Sequence, residues 1–173
     1  IKLHGGLRPF CATFLVFADY LRAQMRVASL MKLPIIYVLS HDSIYVGEDG
    51  PTHQPVETLS SLRAIPNVQV LRPADAQETL EAWKIAYESK DHPVCIVLTR
   101  QAVQGFSKAD SNWKENIRKS GAYIALDCDG KPDITVLATG SEVSMAIASA
   151  SLVQGKKIRV LSVIDYNKFD ELS

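Results

Sequence analysis

The chain mixes two hydrophobic periods. Phe14, Phe17, Leu21, Ala28 and Met31 recur at helical spacing over residues 14–31. With Thr13 placed as an N-cap, this stretch predicts a helix. Pro34-Ile-Ile-Tyr-Val-Leu39 is a short apolar run rich in β-formers, which predicts a buried strand. Residues 40–55 are crowded with Gly, Asp, Ser, Pro and His, the composition of a loop. Residues 56–64 predict a short helix and Asn67–Leu71 a second strand. Pro73 and Asp75 then open a helix carrying Leu80, Trp83 and Tyr87 on one face. Pro93–Leu98 predicts a third buried strand. Strands alternating with helices imply an α/β fold with a parallel sheet flanked by helices.

Residues 101–120 are polar and irregular and read as a linker or surface excursion. Beyond them, Ile134–Ala138 predicts a strand, Thr139-Gly-Ser-Glu142 a turn, 142–154 a helix, and Ile158–Val163 another strand. One such β-α-β unit cannot cover both faces of a sheet, so the second domain is expected to be truncated. The chain opens on Ile1 and stops at Ser173, just after a strand-like run, so both ends read as cut.

Charge and composition narrow the function. Lys plus Arg equals Asp plus Glu, 19 each, which leaves no basic excess for neutralising many phosphates and argues against nucleic acid as a partner. The longest apolar runs are too short to span a bilayer, and the first residues do not show the basic-then-apolar pattern of a secretory leader, so a soluble, non-secreted chain is expected. Cys11, Cys95 and Cys128 are odd in number and widely spaced, with no CxxC pair. That argues against a zinc site or disulfide framework and suits free thiols in a reducing cytoplasm.

The loop Ser40–Pro55 carries the densest chemistry. It follows a buried strand, and ligands in open parallel sheets bind beyond the carboxyl ends of strands. His41 and His53, twelve residues apart, could bind a metal, serve as acid and base, or donate hydrogen bonds to an anion. A plain surface turn explains the same composition. Arg72 and Arg100 each follow a predicted strand and should face the edge that holds His41. Each could clamp a phosphate or form an ordinary salt bridge. Phe14, Phe17 and Tyr20, three apart, are either core or a flat surface for a planar heterocycle. His4-Gly5-Gly6 allows an unusual turn. Thr139–Glu142 is either an anion site at a helix N-terminus or a plain helix start.

Taken in order, LHGG at 3–6, TFLVFADY at 13–20, HDSIYVGEDGPTHQP at 41–55, LRPAD at 71–75, LTRQ at 98–101 and ATGSEV at 138–143 resemble transketolase. They cover nearly the whole chain, and GEDGPTHQP is the most specific of them. The resemblance implies a transferase that moves a two-carbon ketol unit from a ketose phosphate to an aldose phosphate in the pentose phosphate pathway. It also implies thiamine diphosphate, a divalent cation (magnesium or calcium), and a cytoplasmic homodimer with its active sites between subunits. Residues 1–120 would be the pyrimidine-binding domain and 121–173 the start of the C-terminal domain.

By the same resemblance, Phe14, Phe17 and Tyr20 line the aminopyrimidine pocket. His41 and Arg100 hold the sugar phosphate, and Asp49 reads a donor hydroxyl. His53 stands near the reacting end of the donor as hydrogen-bond donor or proton relay. Tyr45 departs from the family, which commonly has glycine there. The family's catalytic glutamate and its metal and diphosphate motif precede LHGG and are expected to be missing, leaving this chain inactive by itself. The alternatives are a related thiamine enzyme, of the 2-oxoacid dehydrogenase or deoxyxylulose-phosphate synthase type, and a non-catalytic assembly module.

Overall fold

The computed structural model describes residues 1–171. They gather into two compact units: residues 1–71 with 82–102, and residues 72–81 with 103 onward.

The first unit is built on four parallel strands, β1 (Phe10–Phe14), β2 (Ile36–Ser40), β3 (Gln69–Leu71) and β4 (Val94–Val97), in the order β1-β2-β4-β3. Each predicted strand is present. The inner strand β4 is buried at all four positions, the continuous apolar pattern that a strand covered on both faces needs. The register sets Phe14 opposite Ser40 and Leu39 opposite Val97. The Leu98 N–H donates to the Leu39 carbonyl at 2.8 Å. The carboxyl ends of β1, β2 and β4 therefore share one edge.

The helix predicted over 14–31 is instead three pieces. Phe14 ends β1, a 3-10 helix runs from Leu15 to Tyr20, and α1 covers Arg22–Leu30. Phe10–Phe14 pairs with β2, and this ladder overrides a local helical period. Thr13 lies within the strand and caps nothing. Leu15, Ala18 and Met25 pack with Tyr37, Leu39, Leu62, Ile65, Val68, Val70, Cys95 and Val97 to form the core of this unit. The helix α2 spans Thr58–Arg63, as expected.

The helix α3 spans Ala76–Glu88, but its buried face differs from the predicted one. Leu80 is 57% and Tyr87 69% exposed, whereas Glu78, Ala82 and Ala86 are almost wholly buried. Small alanines permit close packing there; Leu80 and Tyr87 lie outside, and Trp83 is half-buried, edge-on to Phe10.

The second unit holds a three-stranded mixed sheet, β5 (Ala122–Leu126), β6 (Ile134–Ala138) and β7 (Ile158–Val163), ordered β5-β7-β6. β6 pairs with β7 in parallel and β5 pairs antiparallel to it. β5 was not anticipated. The segment 101–120, read as a linker, ends in the helix α4 (Trp113–Ser120), whose Ile117 is buried. Gly121 closes α4 in the left-handed conformation, φ 73°, and its carbonyl accepts from the Ile164 and Asp165 N–H groups. α5 runs from Glu142 to Ala150, shorter than predicted, and α6 from Tyr166 to Asp170.

A buried polar knot ties the start of α3 into this second unit. Asp75 accepts from the Glu78 N–H at 2.9 Å, and the Glu78 carboxylate accepts from the Ala74 N–H at 2.7 Å, a variant of the capping box. The same carboxylate accepts from the Tyr123 hydroxyl at 2.5 Å and the Ser162 hydroxyl at 2.9 Å. Lys108 pairs with Asp75, both side chains nearly inaccessible. Burial, and secondarily the charge of Asp75, push the Glu78 carboxyl above its ordinary range, although its three donors pull the other way.

Candidate functional site

The site grows from the carboxyl edge of the first sheet. His41 is the residue after β2 and holds φ 61°, the left-handed region that non-glycine residues occupy at a cost of about 1–2 kcal/mol. This backbone turn sends the loop away from the strand and lays the imidazole over Phe14. The ring centroids are 3.6 Å apart and the planes 19° from parallel. The Ser40 hydroxyl lies 3.0 Å from His41 Nδ1.

Buried Asp42 and Val46 pin the first part of the loop. The Gln54 amide donates to the Ile44 carbonyl at 3.3 Å and closes it. Gly47 and Gly50, at φ 80° and 73°, make the sharp turns that bring the chain back. His53 then sits edge-on to Phe17, 5.3 Å between centroids at 81°, and 6.5 Å from Phe14. The Thr52 hydroxyl lies 2.9 Å from His53 Nδ1. Phe14 and Phe17 stack offset at 5.9 Å and 14°, and Tyr20 extends the row, 6.2 Å from Phe17. Three residues per turn of the 3-10 helix place Phe17 and Tyr20 on one side.

Four of the anticipated residues, Phe14, Phe17, His41 and His53, thus form one half-buried ring cluster. Tyr20 is its outer member and is 80% exposed. Arg100 lies just past β4, on the edge shared with β2, and is exposed. Asp49 is exposed in the turn between Gly47 and Gly50. Neither makes a hydrogen bond or ion pair with the described residues.

Arg72 does not join them. Only 7% of its side chain is exposed, and it belongs to the second unit. There it pairs with Glu142 at 2.6 Å and donates to the Thr139 carbonyl at 3.0 Å. A Cβ on Gly140 (φ 59°) would fall 2.7 Å from Arg72 Nε. The Thr139–Glu142 turn is therefore a helix start braced by an arginine, and Arg72 is a structural salt bridge.

Tyr45 is 46% exposed. Its N–H donates to Ser43 Oγ at 3.3 Å, so the loop tolerates this ring without losing its local turn. Among the described residues no group of three or more His, Cys, Asp or Glu could hold a metal ion. The same residues include no helix long and apolar enough to cross a membrane. Ser40 and Thr52 went unremarked in the sequence, although the signal was present: a hydroxyl residue directly precedes each histidine.

A loop carrying two histidines, packed on aromatic rings at the carboxyl edge of a parallel sheet, is the place where α/β chains of this kind bind ligands. Family models refine this class. The model described as the transketolase pyrimidine binding domain matches residues 1–105, and that of the transketolase-like C-terminal domain matches residues 121–173. The transketolase of Treponema pallidum is 57% identical over 170 residues, covering 98% of this chain and 26% of the relative. The structure of the Leishmania mexicana transketolase superposes with a TM-score of 0.89 at 42% identity, over 96% of this chain and 24% of that one. A mutant transketolase of Pichia stipitis, solved in complex with fructose-6-phosphate, gives 0.86 at 43% identity over 95% and 24%. The chain belongs to the transketolase family. It spans about a quarter of the length of the relatives it matches.

Proposed function

We propose that this chain supplies the pyrimidine-facing wall and the donor-sugar edge of a transketolase. That activity, transfer of a two-carbon ketol unit between sugar phosphates in the pentose phosphate pathway, belongs to a protein of the relatives' full length. The observation that carries this reading is the convergence of Phe14, Phe17, His41 and His53 at one sheet edge. The fructose-6-phosphate bound by the Pichia stipitis relative supports sugar phosphates as substrates. In this reading residues 1–120 act as the pyrimidine-binding domain and residues 121–173 as the start of the C-terminal domain. The assembly is a cytoplasmic homodimer with its active site between subunits.

The residues present fit the cofactor's planar part. Phe17 and Tyr20 are tilted 41° to each other and only partly packed, so they offer aromatic surface to a heterocycle. One face of Phe14 is already taken by His41, so Phe14 serves the pocket partly by seating that imidazole. When bound, thiamine diphosphate supplies the carbanion chemistry. The side chains of this chain bind, orient and exclude water. A divalent cation would be held by residues outside this chain.

His41 and Arg100 face the sugar phosphate. Arg100, exposed and unpaired, keeps its fork free for bidentate contact with an anion. Asp49 accepts from a donor hydroxyl and so reads stereochemistry. His53, held edge-on by Phe17, stands as hydrogen-bond donor or proton relay at the reacting end, a role worth roughly 100-fold to 10,000-fold in rate.

The test is Arg100→Ala in the full-length enzyme. Loss of one charge-assisted contact, about 1.5–3 kcal/mol, raises KM for phosphorylated donors by about 10-fold to 100-fold and leaves a small unphosphorylated donor little changed. Equal effects on both donors would remove the phosphate role. The 173-residue chain by itself is inactive in this reading, and measurable ketol transfer by it alone would contradict that.

A further inference from the structure

Each histidine of the cluster has a hydroxyl on the same ring nitrogen. Ser40 Oγ lies 3.0 Å from His41 Nδ1 and Thr52 Oγ1 lies 2.9 Å from His53 Nδ1. Both hydroxyls come from the residue immediately before the histidine, so the pairing is set by local backbone. For His41 that backbone is the left-handed turn at φ 61°. Aromatic contacts also hold the rings, His41 on Phe14 and His53 against Phe17 and Phe14. Aromatic packing fixes a plane but cannot distinguish the two nitrogens. The hydroxyls can.

A hydroxyl beside Nδ1 either donates its hydrogen or accepts one from the ring. Neither hydroxyl makes another hydrogen bond among the described residues; Ser40 is half-buried and Thr52 exposed. Donation to Nδ1 uses the one hydrogen each group has, and that arrangement puts the proton of the neutral imidazole on Nε2. The nitrogen at the far end of each ring then becomes a hydrogen-bond donor. Two such donors converging on one edge suit an oxyanion-rich guest, a phosphate or the oxygen of a ketose, with no need for a charged imidazolium.

We propose that Ser40 and Thr52 are positioning residues that lock His41 and His53 in the Nε2–H tautomer, so that both rings present N–H donors to the sugar-phosphate substrate. This rests on the reading of the cluster as the donor-sugar edge. It adds the residues that decide what the histidines can do there.

The test is nuclear magnetic resonance of the full-length enzyme, selectively labelled with 15N and 13C in histidine, at a pH where both rings are neutral. The expected spectra assign the proton to Nε2 in His41 and in His53. In Ser40→Ala the His41 signals move toward a mixture of tautomers, and in Thr52→Val the His53 signals do the same. Ser40→Thr and Thr52→Ser, which keep the hydroxyl, retain the original pattern. Steady-state kinetics on a phosphorylated donor should show about a fivefold loss of kcat/KM for each hydroxyl-less variant, the worth of one neutral hydrogen bond, restored by the hydroxyl-keeping variants. An Nδ1–H tautomer in the unmodified enzyme, or spectra indifferent to Ser40→Ala and Thr52→Val, would overturn the proposal. If the tautomers shift as expected while kinetics on phosphorylated donors stay unchanged, the hydroxyl pairing stands and the substrate role of the histidines falls instead.

Discussion

Glu78→Ala in the full-length protein tests the polar knot of the second unit. A glutamate on the solvent face of a helix's first turn could be lost at no more than about 0.5 kcal/mol. The structure puts Glu78 at 0% exposure with three donors on its carboxylate, from Ala74, Tyr123 and Ser162. Removing it strands those buried donors at about 1–3 kcal/mol each. The carboxylate's own desolvation cost is recovered at the same time, leaving a net loss of about 2–4 kcal/mol. Urea unfolding, followed by a tyrosine or tryptophan signal that reports on the second unit, measures the difference.

The pH dependence carries a second check. Burial raises the folded carboxyl above its ordinary 4.5, so between those two values the folded chain holds a proton that the unfolded chain has released. The stability owed to Glu78 is therefore fullest below about 4.5 and declines as pH rises through the folded value. The gap between the parent and Glu78→Ala should widen from pH 8 toward pH 5. A loss under 0.5 kcal/mol, or a gap that narrows on acidification, would refute the buried-carboxylate account.

Two further outcomes follow from the geometry. Gly121→Ala sets a Cβ 2.3 Å from the Asp165 carbonyl oxygen at φ 73°. Strain and displacement together should destabilise by about 3 kcal/mol or more, seen as a clear fall in Tm. Cys95 is fully buried and its thiol is pushed up to about 12 by burial, with a smaller contribution from Cys11, so it should resist iodoacetamide at pH 8 until urea unfolds the chain. Exposed Cys11 and half-buried Cys128 should both react before Cys95, and mass spectrometry of the labelled peptides reads the order.

Much of the fold is legible in local pattern. Pro34–Leu39 and Pro93–Leu98 are continuous apolar runs, and such runs belong to strands covered on both faces. The ring cluster was legible for a related reason. Glycines at 47 and 50 are the residues sharp turns require, and histidines at 41 and 53 and phenylalanines at 14 and 17 are flat rings that can pack face to face and edge to face.

The failures are equally specific. Phe10–Phe14 looked like the approach to a helix because a ladder partner 26 residues away is invisible to a local window. β5 and α4 were hidden in and beside a polar segment for the same reason. Of Leu80, Trp83 and Tyr87, the face expected to be inner, only Trp83 is half-buried; alanines and Glu78 take the inside of α3. Arg72 could have served either a phosphate or a carboxylate until Glu142 was found beside it.

What the sequence determined by itself was which segments are apolar enough to be strands and which loop carries chemistry, because both depend on residues close together in the chain. Only the tertiary structure decided which arginine stays free, which carboxylate is buried, and that both histidines meet Phe14. Those outcomes depend on side chains brought together across long separations, where the competing partners have the same chemistry and only position chooses between them.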